Sequence, residues 1–274
     1  MENRMTIAVV IASKNRPQNI RAALASIEAQ GYAPSEVIVV DQSDTKYALE
    51  EYADVRHIYD PALSGLTAAR NRGISELHSD CVLFIDDDVA LRPDTLSALE
   101  SAFASYPDAV GFQCDDLEQH DEGRLTGLLN AAFELGFFSR SRQRRGNVIE
   151  TTWLGGFAMA YRSSVFAFER FDEHLTGYSF GEDWDFSKRA ARHGRLLVAQ
   201  GAEVHHYHSP VNRAGNKSLC KMRWQNYRYF FVKHGAGKSF LSRVQLAWWS
   251  LGETYRWLRA GLGVPSDRKA AAKS

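Results

Sequence analysis

Along the first 115 residues, short and almost wholly apolar runs alternate with segments of helical period. Thr6-Ile7-Ala8-Val9-Val10-Ile11 has the saturated apolar character of a strand buried on both faces. In Asn15-Arg16-Pro17, either Asn15 or Arg16 can precede a proline at the first helical position. Ile20, Leu24 and Ile27 then recur at helical spacing as far as Gln30-Gly31. Val37–Val40 predicts a second strand, closing in Asp41-Gln42-Ser43-Asp44. A short helix, the strand Val55–Tyr59 and the helix Leu66–Leu77 are expected next. Strand Cys81–Ile85, helix Pro93–Ser105 and strand Ala109–Cys114 complete the series. Alternation of this kind predicts an α/β fold with a right-handed, mostly parallel, doubly wound sheet.

The pattern weakens beyond Leu117. Leu128–Phe138 predicts a helix, and Arg140, Arg142, Arg144 and Arg145 lie in what reads as a loop, either solvated or facing an anionic acceptor or membrane. Gly155-Gly156 interrupts the strand-like run Thr151–Tyr161, which indicates a bulge or the close approach of another group. Ser163 is placed to cap a short helix. Gly181-Glu182-Asp183-Trp184-Asp185 opens a helix expected to run to about His193 and to end at Gly194. Short strands Leu196–Val198 and Ala202–Val204 lead into His205-His206-Tyr207-His208. Near the end, Phe240, Val244, Trp248, Leu251, Tyr255, Leu258 and Leu262 form the stripe of an amphipathic helix. That stripe suits packing on its own fold or lying on a membrane surface.

Composition is that of a globular chain: 274 residues, 45% hydrophobic, with no low-complexity linker and no internal repeat. The formal charge of zero conceals an uneven distribution. From Arg213 to the end there are 13 Lys/Arg against 2 Asp/Glu, so the tail suits an anionic surface such as an inner leaflet. Three widely spaced cysteines, Cys81, Cys114 and Cys220, have no zinc or disulfide spacing and predict reduced thiols in the cytoplasm. No segment has the length of a signal peptide core or a membrane span.

The chemistry concentrates at Asp86-Asp87-Asp88, at the carboxyl end of a predicted strand. Ligands of open α/β sheets bind there. Alternation along an extended backbone would send Asp86 and Asp88 one way and Asp87 the other. Two like charges on one side repel unless a cation lies between them, and oxygen ligation suits Mg2+ or Mn2+. Glu182, Asp183 and Asp185 form a second acidic group. One would suffice against the helix dipole, and three repel one another. The histidines His205, His206 and His208 at a strand end are candidate metal ligands.

Taken together these features resemble the family-2 glycosyltransferases of the GT-A fold, over nearly all of the first 210 residues. The resemblance rests on Asn15-Arg16-Pro17, Val39-Val40-Asp41, Gly65-Leu66-Thr67-Ala68-Ala69-Arg70-Asn71-Arg72-Gly73, Phe84-Ile85-Asp86-Asp87-Asp88, Gly155-Gly156, Phe171-Asp172-Glu173 and Gly181-Glu182-Asp183. It implies a GT-A domain over 1–212 (nucleotide-binding half 1–115, acceptor half 116–212) and a basic, Trp-rich helical extension over 213–274. It also implies a nucleotide-diphospho-sugar donor, UDP- or dTDP-linked, and a glycan or lipid-linked acceptor, without a nucleic-acid partner. In that family Asp41 would bind the pyrimidine, with the Ala12-Ser13 backbone and Arg16 alongside. Arg70 would help position the donor, and Asp87 would reach the ribose. Asp88 would hold the metal, supported by Asp86, with His206 the third contact and His205 or His208 the alternatives. Asp183, in its pair with Glu182, would be the base, and Gly155-Gly156 would leave room for the acceptor. Two departures are the turn Asp41-Gln42-Ser43-Asp44, which lacks the usual second acid and glycine, and Val89 after the acidic triplet. A dehydrogenase is disfavoured because no G-x-G-x-x-G follows the first strand. A sugar-nucleotide-forming nucleotidyltransferase would carry a glycine-rich loop where this chain has Ser13-Lys14-Asn15-Arg16. A non-catalytic binding module would have no need of both Asp88 and Asp183.

Overall fold

The computed structural model describes residues 4–117, 141–145, 148–209, 216–235 and 240–261. The described residues form two compact units, an α/β body up to residue 209 and a C-terminal pair of helices.

In the body, strands β1 (Ile7–Ser13), β2 (Glu36–Asp41), β3 (Val55–Tyr59) and β4 (Cys81–Asp86) pair in parallel, in the order β3-β2-β1-β4. Helix α1 (Pro17–Glu28) connects β1 to β2, α2 (Leu66–Ile74) connects β3 to β4, and α3 (Thr95–Ser105) follows β4. Strand alternation divides the apolar side chains between the two sheet faces. Ile7, Val9, Ile11, Leu83 and Ile85 join Ile20, Leu24, Leu96 and Phe103 in one layer. Ala8, Val10, Val82 and Phe84 join Ala69, Ile74, Phe171 and Phe186 in the other. Each fully buried side chain of this size contributes about 1.5–3 kcal/mol. Helix α2 packs close on β1 because Gly73 lies in between, where a Cβ would come within 2.6 Å of Val10 Cγ1.

The second half makes the sheet mixed. β9 (Ala158–Arg162) inserts antiparallel between β4 and β6 (Ala109–Asp116), so those two strands do not pair with each other. β10 (Arg195–His206) runs parallel to β6 as one strand with a register shift between Val198 and Glu203, rather than as two short strands. β5 (Val89–Leu91) pairs antiparallel with the end of β10. Helix α4 (Glu182–Ala190) follows a left-handed Gly181 and is about a turn shorter than the sequence pattern suggests.

Three further expectations are corrected. The segment before Val55 is not a helix. Tyr47 and Leu49 are both buried, two residues apart, a spacing that extended backbone satisfies and a helix does not. Arg142–Arg145 is not a loop but an exposed strand, β7, laddered antiparallel to β8 (Val148–Thr151). Ser163 begins a short 3-10 turn, Ser163–Ala167, instead of capping it, and Arg162 takes the cap position. The predicted helix Leu128–Phe138 lies outside the described residues.

The second unit pairs α5 (Asn216–Lys233), which the sequence pattern did not reveal, with α6 (Phe240–Gly261). Trp249 meets Tyr227 edge-on at 4.5 Å between ring centroids. Glu253 is buried and takes Arg223 at 3.0 Å, with Arg256 on the same oxygen. The predicted stripe is therefore not the face that packs on α5. Phe240, Val244, Trp248, Leu251, Tyr255 and Leu258 are all exposed, Phe240 by 82%. No helix among the described residues is long and apolar enough to cross a membrane.

Candidate active site

Sheet register sets the first layer of the site. Ala12 lies between Val40 and Asp86, and Ser13 beside Asp41, so the carboxyl ends of β2, β1 and β4 present their functional residues side by side. Strand β4 stops at Asp86, and Asp87-Asp88 form the turn into β5. The expected division of the three acids appears across that turn. Asp87 points back to β1 and α1, where Ser13 Oγ donates to its Oδ2 at 2.7 Å and Arg16 Nη1 pairs with Oδ1 at 2.8 Å. Burial pushes the Asp87 carboxyl above its ordinary value, with Arg16 opposing. Tyr47, which the sequence did not single out, holds this corner: its hydroxyl accepts the Arg16 amide at 2.6 Å and lies 3.3 Å from Ser13 Oγ.

Asp41 is fully buried. Its oxygens accept the amides of Ser43 at 2.9 Å and Tyr47 at 3.2 Å, with His57 Nε2 at 3.2 Å. The carboxylate thus faces the segment that follows β2 and fixes its course.

Asp86 and Asp88 turn the other way, toward His206 at the end of β10. One ligand atom from each of the three lies within 4.8 Å of the others. Asp88 Oδ1 is 3.2 Å from His206 Nε2, and Asp88 Oδ2 accepts the Ser209 amide at 2.7 Å. His206 stacks on Phe157, with ring centroids 5.3 Å apart. Burial disfavours a charged ring there, but Asp88, with Asp86 and Asp116 behind it, outweighs burial and raises the imidazole above its ordinary value. Desolvation by the surrounding site pushes the Asp86 carboxyl up to about 6, against the pull of Arg70 and with the repulsion of Asp88, although 34% of the side chain stays open to solvent. A divalent cation suits this donor set. Two carboxylates converge on a buried imidazole whose Nε2 meets Asp88 in an ion-pair contact but completes no aligned hydrogen bond. His205 carries its ring on Tyr207 instead, at 6.3 Å.

The centre of the site is Arg70, from α2, only 2% exposed. Nη1 donates to Glu182 Oε1 at 2.7 Å, and Nη2 donates to the Gly156 carbonyl at 2.7 Å and to Asp86 Oδ1 at 3.2 Å. The guanidinium is thus engaged with protein groups and holds the acids that surround it. Glu182 is buried, and burial together with the neighbouring Asp183 pushes its carboxyl up to about 8 although Arg70 opposes. Asp183, at the start of α4, is half-buried. Its Oδ2 accepts the Gly156 amide at 2.9 Å and its Oδ1 the Trp184 amide at 2.8 Å. Gly156 leaves room for this pair rather than for open space: a Cβ there would lie 2.8 Å from Glu182 Oε1 and 3.4 Å from both Arg70 terminal nitrogens. Gly155 donates its amide to Gln113 Oε1, a buried polar side chain on β6 that sequence reasoning passed over.

A mixed α/β sheet with acids at its strand ends, an arginine joining them and a second acid at a facing helix start is the architecture of a GT-A glycosyltransferase. The Glycosyl transferase family 2 model matches residues 8–167, over half the chain, and the chain belongs to that family. YwdF of Bacillus subtilis (strain 168), an uncharacterized glycosyltransferase, is 27% identical over 251 residues, covering 85% of this chain and 86% of YwdF. Among solved structures, a mannosyltransferase from Pyrobaculum calidifontis, PcManGT in complex with GDP-Man and Mn2+, aligns with a TM-score of 0.60 at 18% identity. That alignment covers 100% of this chain and 77% of that one. S. aureus TarS 1-349 in complex with UDP-GlcNAc aligns at 0.59 and 17% identity, covering 93% and 79%. At these identities the structural likeness establishes the fold. The protein is a glycosyltransferase.

Proposed function

We propose that this glycosyltransferase inverts, moving a sugar from a UDP- or dTDP-linked donor to a hydroxyl of a glycan or lipid-linked acceptor. The observation that carries the reading is the junction at Gly156. Its amide holds Asp183, and its carbonyl holds Arg70, which in turn holds Asp86 and Glu182. A base and the diphosphate-side acids are thereby fixed through buried groups, and fixed separation is the main requirement of a single displacement.

Mg2+ or Mn2+ held by Asp86, Asp88 and His206 would act as a Lewis acid on the departing diphosphate. Asp183 accepts the proton of the acceptor hydroxyl as its oxygen attacks the anomeric carbon opposite the leaving group. Such base assistance contributes about 10²–10⁴-fold. Glu182, turned into Arg70, positions the guanidinium. Ser13, Arg16 and Asp87 line the nucleotide side, and the segment anchored by Asp41 shapes the base pocket. The exposed stripe of α6, with the excess of Lys/Arg beyond Arg213, supports seating on an anionic inner leaflet, where a lipid-linked acceptor would be met.

Incubating the full-length protein with a panel of nucleotide-sugars and Mn2+, and following release of the nucleoside diphosphate, tests the donor assignment. Asp183→Asn should reduce kcat by about 10²–10⁴-fold and leave nucleoside-diphosphate affinity unchanged. Equal loss of affinity and turnover would remove Asp183 from the role of base.

A further inference from the structure

The end of β10 brings together a second group of ligands beside the first. β6 and β10 run parallel there, with Asp116 opposite Val204, so Asp116 falls two residues from the level of His206. His208 follows in a left-handed backbone conformation, φ +50°, an unusual state for a non-glycine residue. Its ring centroid lies 3.8 Å from that of His206. One ligand atom each from Asp116, His206 and His208 falls within 4.8 Å of the others. His206 is more than nine-tenths buried, and its Nε2 faces Asp88 Oδ1 at 3.2 Å as an ion-pair contact without hydrogen-bond alignment.

The two groups differ in chemistry. Asp86, Asp88 and His206 offer two hard oxygens and one nitrogen, which suits Mg2+ or Mn2+. Asp116, His206 and His208 offer two imidazoles and one carboxylate, a set that borderline dications prefer, and three protein ligands leave a position open. His206 belongs to both. A neutral imidazole has one lone-pair nitrogen, the other carrying the proton, so it serves one cation at a time.

We propose that Asp116, His206 and His208 form a second cation site, selective for Zn2+, whose occupation withdraws His206 from the Asp86–Asp88 pair and weakens nucleotide binding there. The competition half rests on the role given above to His206; the binding half does not.

Co2+ added to metal-free full-length protein provides the test, read by its visible absorption and by Zn2+ displacement. His208→Ala and Asp116→Asn should each weaken Co2+ binding by about 100-fold or more, since even partners outside the ligand set cost 10–100-fold. Asp88→Asn should leave the Co2+ signal in place. Unchanged affinity in both His208→Ala and Asp116→Asn, or loss of the signal in Asp88→Asn instead, would overturn the site. For the competition half, Mn2+-dependent binding of UDP is titrated with Zn2+. Wild type should lose UDP at Zn2+ concentrations that leave His208→Ala unaffected. Equal sensitivity of the two proteins would overturn the competition while leaving the Co2+ result to decide the site by itself. Thermal unfolding of each variant guards against misfolding as the cause; Asp116 and His208 are half-buried, and their substitution should leave Tm unchanged.

Discussion

Replacing Arg70 with Met tests the central role of its guanidinium, because Met keeps much of the side-chain length and removes the charge. Arg70 is almost fully buried and meets two carboxylates and one carbonyl. Removing one partner of a buried pair costs about 3–5 kcal/mol when the other charge is stranded. Here the stranded group has an escape. The Glu182 carboxyl already sits at about 8, so near pH 6 it carries its proton with Arg70 in place, and without Arg70 it moves further up and stays neutral. The cost then falls to that of an unsatisfied polar group, about 1–3 kcal/mol. Asp86 adds little, being 34% exposed and able to turn to solvent. The sign follows from proton uptake. A carboxyl whose value is raised by folding adds stability below its ordinary value of 4.5 and loses it as pH climbs through about 8. Arg70→Met should therefore cost more at pH 9 than at pH 6. At about 2–4 °C per kcal/mol for a chain of roughly this size, the fall in Tm is about 6–20 °C at the alkaline end. Adding Glu182→Gln to Arg70→Met should recover part of the loss, with a coupling of about 2 kcal/mol in the double-mutant cycle. Calorimetry on the four proteins at both pH values measures this. A penalty below 1 kcal/mol, or one larger at pH 6, would refute the reasoning.

Other consequences follow from single contacts. Asp88→Asn should abolish the Mn2+ dependence of UDP binding, measured by calorimetric titration with and without EDTA; a retained dependence would move the metal elsewhere. Gly156→Ala should destabilise by about 1–3 kcal/mol in denaturant unfolding and lower activity, since its Cβ would press on both Glu182 and Arg70. A neutral result would mean that the pair has slack. Full-length protein should float with anionic vesicles at low salt and release as salt is raised, because the basic tail is screened. Absence of binding at low salt would assign the α6 stripe to a protein partner.

Saturated apolar runs identified the parallel strands because such a strand is buried on both faces, and Ile7 to Ile11 show that burial at every position. The mixed half was harder to read. β9 is also buried along Ala158–Tyr161, and nothing in an apolar run states its direction or neighbours. Asp86-Asp87-Asp88 was legible as a group because acids at a strand end have few structural reasons to exist. Their partners were not. Tyr47 sits in irregular chain, and the bonds from Arg70 to Gly156 and Glu182 span sequence separations of 86 and 112 residues. Local pattern carries no information at that range. On α6 the period was right but the face was not. Trp249 and Glu253, one turn apart, are buried, while the more apolar stripe beside them is open. Period alone records which residues share a side, and the partner decides which side is covered.

The placement of Arg70 explains why a buried cation is kept where an apolar residue would pack at less cost. A hydrophobic substitute could fill the volume between α2, β4 and α4, but it could not hold Asp86, Gly156 and Glu182 at hydrogen-bond distance at the same time. Desolvating the guanidinium opposes folding, and the two acids offset that cost only because their geometry on the planar group is good. What the arrangement gives in return is a fixed span between Asp86 and Asp183, joined through Arg70 and the single residue Gly156. Lysine, a point charge on a flexible stem, would satisfy one acid and release the other. Arg70→Lys should accordingly restore part of the stability lost in Arg70→Met and little of the kcat. Equal recovery of both would mean that charge, and not the fork, is what the site requires.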